Sequence, residues 1–408
     1  MTCSMRRMRG SFAALLFLVA GVAAGEPSPY YIGVKQAFSY DSNVFRLPDA
    51  FAEASSWSST SLVGGFDQPY GRQRFYANGT VSANIYQQLS QLDNTSYALT
   101  AGWDWASVDR LSGKVYASLS QGLGNYGGSN QVLTTQKNIQ TDSLVYATAQ
   151  WGLLSLLALD GRVAYNSLRY SDDRYDRYEL NQESVSLGVR KEFSGQLTLG
   201  TGLTYTKGDY YSIDREFDRY DVYLSGIWVA TGQSTLSGRL NYSDWDYTGV
   251  NPYTTSGVTG WVRWAYVPTG KLSFNTLLSY DTLANDGLTD LGGGSVGNPG
   301  DSNQLTWALR FNANYAATGK IQVNAFLNFY TRTQDYEFNP PPGFPPSTIE
   351  TRDRVTNLGL GATWTATRNW LLNCNLSSNN RNQDANQPIT LSPYQAWGAS
   401  CSAQFALQ

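Results

Sequence analysis

Apolar and polar residues alternate with a period of two along almost the whole chain beyond its first segment. Leu305, Trp307, Leu309, Phe311, Ala313 and Tyr315 interleave with Thr306, Ala308, Arg310, Asn312 and Asn314; Ile321, Val323, Ala325, Leu327 and Phe329 interleave with Gln322, Asn324, Phe326 and Asn328. Successive side chains of a strand point to opposite faces, so each run predicts a strand with one apolar and one mostly polar face. Residues 197–205, 220–228, 236–242, 258–266, 272–280 and 358–364 read the same way, with β-branched and aromatic residues on the apolar side. After the first segment no apolar run reaches the roughly 18 residues of a spanning helix. The mean hydropathy of −0.35 does not exclude a transmembrane β-barrel. Its strands turn apolar side chains to lipid and polar ones to the lumen, and the two average out.

The connections alternate as well. Short turns recur as Phe193-Ser194-Gly195, Ala230-Thr231-Gly232, Pro268-Thr269-Gly270 and Ala317-Thr318-Gly319, and between them lie longer polar segments at residues 171–176, 209–217, 282–303 and 333–350. An aromatic residue sits just before several short turns (Trp228, Tyr266, Tyr315, Trp364), where its ring would lie at a membrane interface. Short turns on one rim and long loops on the other predict an all-β, antiparallel, up-and-down transmembrane barrel of about 18 strands, with 16 as the fallback. The even count places both termini on the short-turn, periplasmic side of a bacterial outer membrane.

The first residues read as an export signal. Arg6, Arg7 and Arg9 form its basic region, residues 12–20 its apolar region, and Val22-Ala23-Ala24 a small-residue cleavage site. Residues 1–24 are therefore the expected signal peptide and 25–408 a single barrel domain, with cleavage after Ala24 or Gly25. Composition then removes whole classes of chemistry. The 408 residues include 28 Tyr, 12 Trp and 39 Gly but no His, so Ser-His-Asp and Cys-His nucleophile systems and His-ligated zinc are excluded. The net charge of −3 argues against a nucleic-acid partner. Neither an enzyme nor a cofactor or metal site is expected. Acidic pairs such as Asp172-Asp173 and Asp214-Arg215-Glu216 alternate with Arg174, Arg177, Arg215 and Arg219 and read as solvated loop charge. The proline-rich stretch 340–346 reads as a stiff outer loop.

The first strand runs into Tyr40-Asp41-Ser42-Asn43-Val44-Phe45-Arg46. With the export signal, the barrel pattern and the repeated aromatic-(Pro/Ala)-Thr-Gly-Lys turn, this segment resembles the EpsL-type outer-membrane β-barrel porins encoded with exopolysaccharide genes. The resemblance implies a part in exopolysaccharide biosynthesis or secretion, with polysaccharide and other export-system proteins as partners beside membrane lipid, and it brings no catalytic residues. The alternative function is a porin for small polar or anionic solutes. The alternative reading of Asp41 and Asn43 is a strand-to-loop cap, since both side chain types bond their own backbone at turns.

Two further expectations come from strand parity. A last hairpin centred between Gln387 and Pro388 sets Cys374 opposite Cys401, Trp370 opposite Phe405, Leu372 opposite Ala403 and Leu376 opposite Ala399. A slip of one residue would put every partner on the wrong face, so this register favours a disulfide between the two cysteines. Arg162, Arg190, Arg239, Arg263 and Arg310 all fall on the inward polar face at comparable distances from the short turns. They predict a basic band in the periplasmic half of the lumen that contacts anionic solutes or polysaccharide. Asp160 and Asp221 are the nearest acids.

Overall fold

A computed structural model of the protein describes residues 28–127, 133–153, 156–249, 252–282, 304–338, 347–383 and 393–407. The expected signal peptide, the Gly-rich stretch 291–299, the proline-rich loop 340–346 and the centre of the last hairpin lie outside these residues.

Period-two alternation becomes eighteen strands: β1 (Tyr30–Asp41), β2 (Ser55–Tyr70), β3 (Gln73–Tyr86), β4 (Asn94–Ala106), β5 (Leu111–Leu123), β6 (Ile139–Leu153), β7 (Leu157–Tyr170), β8 (Leu180–Ser194) and β9 (Leu197–Tyr210), then β10 (Arg215–Thr231), β11 (Ser234–Gly249), β12 (Tyr253–Thr269), β13 (Leu272–Thr282), β14 (Gln304–Ala316), β15 (Ile321–Phe338), β16 (Ser347–Thr365), β17 (Trp370–Gln383) and β18 (Tyr394–Leu407). Each strand pairs antiparallel with its neighbours in sequence, and β1 pairs with both β2 and β18, so one 18-stranded sheet closes on itself. Closure leaves no unpaired edge.

The recurrent Thr-Gly and Ser-Gly turns have a shared cause. Thr269 Oγ1 accepts from the amides of Lys271 and Leu272 at 3.3 and 3.1 Å, and Thr318 Oγ1 does the same for Lys320 and Ile321 at 3.1 and 3.0 Å. Ser194 Oγ holds Gln196 and Leu197 in the same way. The hydroxyl stands in for a backbone acceptor across the tightest part of the chain.

Outward positions are apolar and open: Leu203, Val222, Leu224, Leu240, Val258 and Leu358 are all exposed. A soluble protein does not leave such a continuous apolar surface in water, and this belt is built for lipid. Trp228, Tyr315 and Trp364 are exposed just before short turns, and Trp307 is exposed near the opposite end of β14. From Trp307 to Tyr315 the strand climbs about 20 Å, at roughly 3.3 Å per residue and a tilt of about 40°, close to the apolar height of such barrels.

The loop rim differs from expectation at two places. Residues 333–350 were expected as a loop, but β15 runs on to Phe338 and β16 already opens at Ser347, and the two strands pair to those ends. The other place is the β9 to β10 hairpin. Residues 209–217 were expected as a loop, but Asp209 and Tyr210 still belong to β9 and Arg215 already opens β10; the β11 to β12 connection spans only residues 250–252. Tyr210, Phe217, Trp245 and Tyr247 face inward and bury one another with Leu180. That apolar contact extends the hairpin beyond the point where the polar sequence suggested a loop, as tertiary burial outweighs local composition.

β17 and β18 pair with Cys374 opposite Cys401, Trp370 opposite Phe405, Leu372 opposite Ala403 and Leu376 opposite Ala399. Cys374 and Cys401 form a disulfide with Cα atoms 4.1 Å apart, and both residues are exposed on the outer face. We expect unreduced, unfolded mature protein to show no reactive thiol. Labelling of two cysteines without prior reduction would contradict the bond.

Candidate functional site

The lumen is lined by the polar half of each alternation, and strand parity places all five band arginines on it. Pairing makes them unequal. Arg190 binds Asp160 through two nitrogens at 2.5 Å and donates to Gln150 Oε1 at 3.0 Å, so its charge is met by a carboxylate. The Arg162 guanidinium lies 4.5 Å from the centre of the Tyr146 ring. Arg239 donates to Asn241 Oδ1 at 2.7 Å and Thr204 Oγ1 at 2.8 Å and stacks 3.7 Å from the Tyr223 ring centre, all neutral partners.

Arg263 and Arg310 occupy one row across β12, β13 and β14, each directly opposite Leu277. The two guanidiniums thus flank one position of β13 on the lumen face. Arg310 has neither a hydrogen bond nor an ion pair among the described residues, and its Nη2 is enclosed without a partner. The same row continues through Asn328 and Asn357 to Asn379, so a line of amides runs beside the guanidiniums. Of the five, Arg310 on β14 has no counter-charge among the described residues, whereas Arg190 on β8 is neutralised by Asp160 of β7.

A second charged layer lies toward the loop rim. Arg219 was expected among solvated loop charges, yet it is 1% exposed within β10. It donates to Asp221 at 2.8 Å, Asp281 at 3.3 Å, Ser243 at 3.1 Å and Thr259 at 3.4 Å, and packs 4.7 Å from the Trp245 ring. Arg332 bonds Asp353 through Nε at 2.9 Å and through Nη2, and Arg381 Nε lies 3.4 Å from the same carboxylate. A guanidinium buried in such surroundings is tolerated only because carboxylates and hydroxyls occupy its donors. The available signal was the i, i+2 spacing of Arg219 and Asp221, which puts both on one face. The misplaced loop boundary hid it.

The segment that carries the family resemblance is a loop anchor. Asp41 receives both terminal nitrogens of Arg46, each at 2.8 Å. Asn43 is fully buried; its Nδ2 donates to the carbonyls of Leu47 at 2.7 Å and Gln395 at 3.1 Å, and its Oδ1 accepts from the Leu47 amide at 3.0 Å. Arg46 takes a left-handed backbone, φ 56°, to complete this turn. Phe45 meets Tyr126 edge-on at 5.2 Å, inside a cluster with Tyr86, Leu89 and Leu92. Tyr40 lies outside, its ring 4.7 Å from that of Trp397. The cap reading of Asp41 and Asn43 is thus their structural role, extended to bridge the β1–β18 seam.

Two loops meet over the mouth through this anchor. Tyr126 donates to the Gln136 carbonyl at 2.6 Å and accepts from the Asn138 amide at 3.2 Å, and burial pushes its hydroxyl up to about 12, so it remains a donor at neutral pH. Arg381 reaches the Gly127 carbonyl at 2.8 Å, joining this loop to β17 across the lumen. A Cβ at Gly127 would lie 2.4 Å from Tyr394 Oη, which reserves the position for glycine. Elsewhere on the loop rim, Arg174 holds the Asp172 carboxyl below the usual range by hydrogen bonding, while Asp172 caps the short turn Asp173–Tyr178.

No family model matches the chain, and no curated protein matches it. Solved structures are similar to it in overall shape. The outer membrane protein OpdK from Pseudomonas aeruginosa shares 12% identity over 93% of this chain and 99% of its own, with a TM-score of 0.49. OccK9 (OpdG) from the same organism shares 12% over 93% and 98%, with a TM-score of 0.48. The FrpB iron transporter from Neisseria meningitidis shares 11% over 92% and 81%, with a TM-score of 0.47.

Proposed function

We propose that the protein is a bacterial outer-membrane channel that passes small polar or anionic solutes and catalyses no reaction. The observation that carries this reading is the Arg239, Arg263 and Arg310 cluster on the lumen face, where Arg310 has no counter-charge among the described residues. Cations lining a water-filled pore raise the local concentration of anions, and the amides beside them supply hydrogen bonds to replace lost hydration. The short turns, the start of β1 and the end of β18 share one rim, so that rim faces the periplasm in this reading.

Export of an exopolysaccharide, the role implied by the sequence resemblance, is the second reading, and Tyr40, Asp41, Asn43, Phe45 and Arg46 are the residues that favour it. Four of these five hold the mouth loops in place, which supports small solutes over a polymer chain as the cargo. Deleting the gene separates the two: lost surface polymer with intact solute uptake favours export, and the reverse favours the porin.

The channel itself is tested in planar bilayers. Wild-type protein is expected to give anion-selective reversal potentials in a salt gradient. Replacing Arg239, Arg263 and Arg310 together by Gln is expected to move the permeability ratio several-fold toward cations. Unchanged potentials in a folded, conducting triple variant would refute the cluster as the selectivity element.

A further inference from the structure

The wall opposite the arginine cluster carries a cavity of about 390 Å³. Its lining includes Thr80 and Ser82 of β3, Ser96 of β4, Ser120 of β5, and Gln140 and Asp142 of β6. All six fall on the inward parity of their strands, since Val81, Leu99 and Val145 are exposed on the outer face. The volume lies within the range of small-molecule sites. The chemistry is uncommon for a barrel wall: hydroxyl and amide groups surround a single carboxylate.

Asp142 accepts one hydrogen bond, from Gln140 Nε2 at 2.8 Å, and makes no ion pair among the described residues. Within the strands of this wall the cations lie lower, toward the short turns, and Lys137, in the connection before β6, donates to the Asp93 carbonyl at 2.5 Å. Lys114 is 3.9 Å from Asp104, and Arg162 covers Tyr146, whose ring stacks on Tyr116 at 5.1 Å between these cations and the cavity. Every other charged side chain in the lumen described above is either part of an ion pair or a guanidinium. Asp142 is therefore an uncompensated negative charge facing the solute path.

We propose that this cavity is a subsite for the ammonium group of a small solute, with Asp142 as counter-ion and the serine and threonine hydroxyls as further acceptors. A primary ammonium has three N–H donors and no acceptor, which matches one carboxylate flanked by hydroxyl oxygens. The proposal deepens the channel reading and rests on it, because it names the solute class. β12 to β15 stand nine strands on from β3 to β6 in an 18-strand ring, so Arg263 and Arg310 lie on the facing wall. A zwitterion entering from the loop side would meet Asp142 with its ammonium end first. Its carboxylate would then be drawn toward the arginines lower in the lumen. The solute class is a short aliphatic molecule bearing both groups.

The test uses three-carbon probes that differ only in charge: n-propylammonium, β-alanine and propionate. Binding to full-length mature protein in detergent is read by saturation-transfer NMR, alongside current noise in bilayers. Propylammonium and β-alanine are expected to bind, and Asp142→Asn, which keeps the side-chain size, is expected to weaken propylammonium by at least tenfold, ~1.4 kcal/mol. Propionate binding is expected to be the same in wild type and Asp142→Asn. Absence of propylammonium binding, or binding unchanged by Asp142→Asn and by Ser120→Ala with Ser96→Ala, would overturn the subsite. A barrel that conducts but ignores these variants rejects only the subsite. A barrel that binds ammonium through Asp142 yet does not conduct rejects the channel reading.

Discussion

Asp353→Ala is expected to lower the stability of the folded barrel by about 3–5 kcal/mol, because it strands two buried guanidiniums at once. Arg332 is 2% exposed and Arg381 1%, and the Asp353 carboxylate lies between them. The three residues sit on β15, β16 and β17, so the carboxylate ties together three successive strands beneath the loop rim. Asp353→Asn keeps the volume and one acceptor oxygen and should cost less than Ala. The measurement is the temperature or urea concentration at which folded, fast-migrating protein converts to the unfolded band on unheated gels. A midpoint for Asp353→Ala equal to wild type would mean that lumen water solvates both arginines and that the cluster is no brace.

The second large effect is expected at the mouth. Phe45→Ala removes the ring that packs edge-on against Tyr126 within a fully enclosed apolar cluster, a deletion that costs about 3–5 kcal/mol in well-packed cores. Here the cost falls on loop docking, since Phe45 lies between β1 and β2 and makes no strand ladder bond. The loop at residues 42–54 should release from the mouth while the barrel stays closed. Single-channel conductance is then expected to rise, with open-channel noise increased, and heat-modifiable migration is expected to persist. Conductance equal to wild type would show that this cluster does not narrow the path. Asn43→Ala should act in the same direction, because it removes the bonds to Leu47 and Gln395 that fix the loop to β18.

Period two in the sequence determined the faces, and with them much of the architecture. A strand residue has only two directions available, so the parity of Leu305 to Tyr315 assigns lipid or lumen without any knowledge of neighbours. Strand number followed from counting turns, and the register of β17 on β18 from matching apolar faces around Cys374 and Cys401. The five band arginines were legible as inward residues for the same reason. Parity says nothing about which strand lies alongside at a given height, however, and neutralisation depends on that. Asp281 reaches Arg219 from three strands away in the ring, and Asp160 meets Arg190 across a ladder position that sequence spacing does not reveal. The loop rim was also beyond local reading: Phe217 and Trp245 carry strand hairpins outward by burying each other, and Phe45 and Arg46 find Tyr126 and Tyr394 only once the barrel closes. Strand direction is fixed by local stereochemistry, whereas the pairing of charges and the packing of loops are fixed by stagger and closure, which only the assembled sheet supplies.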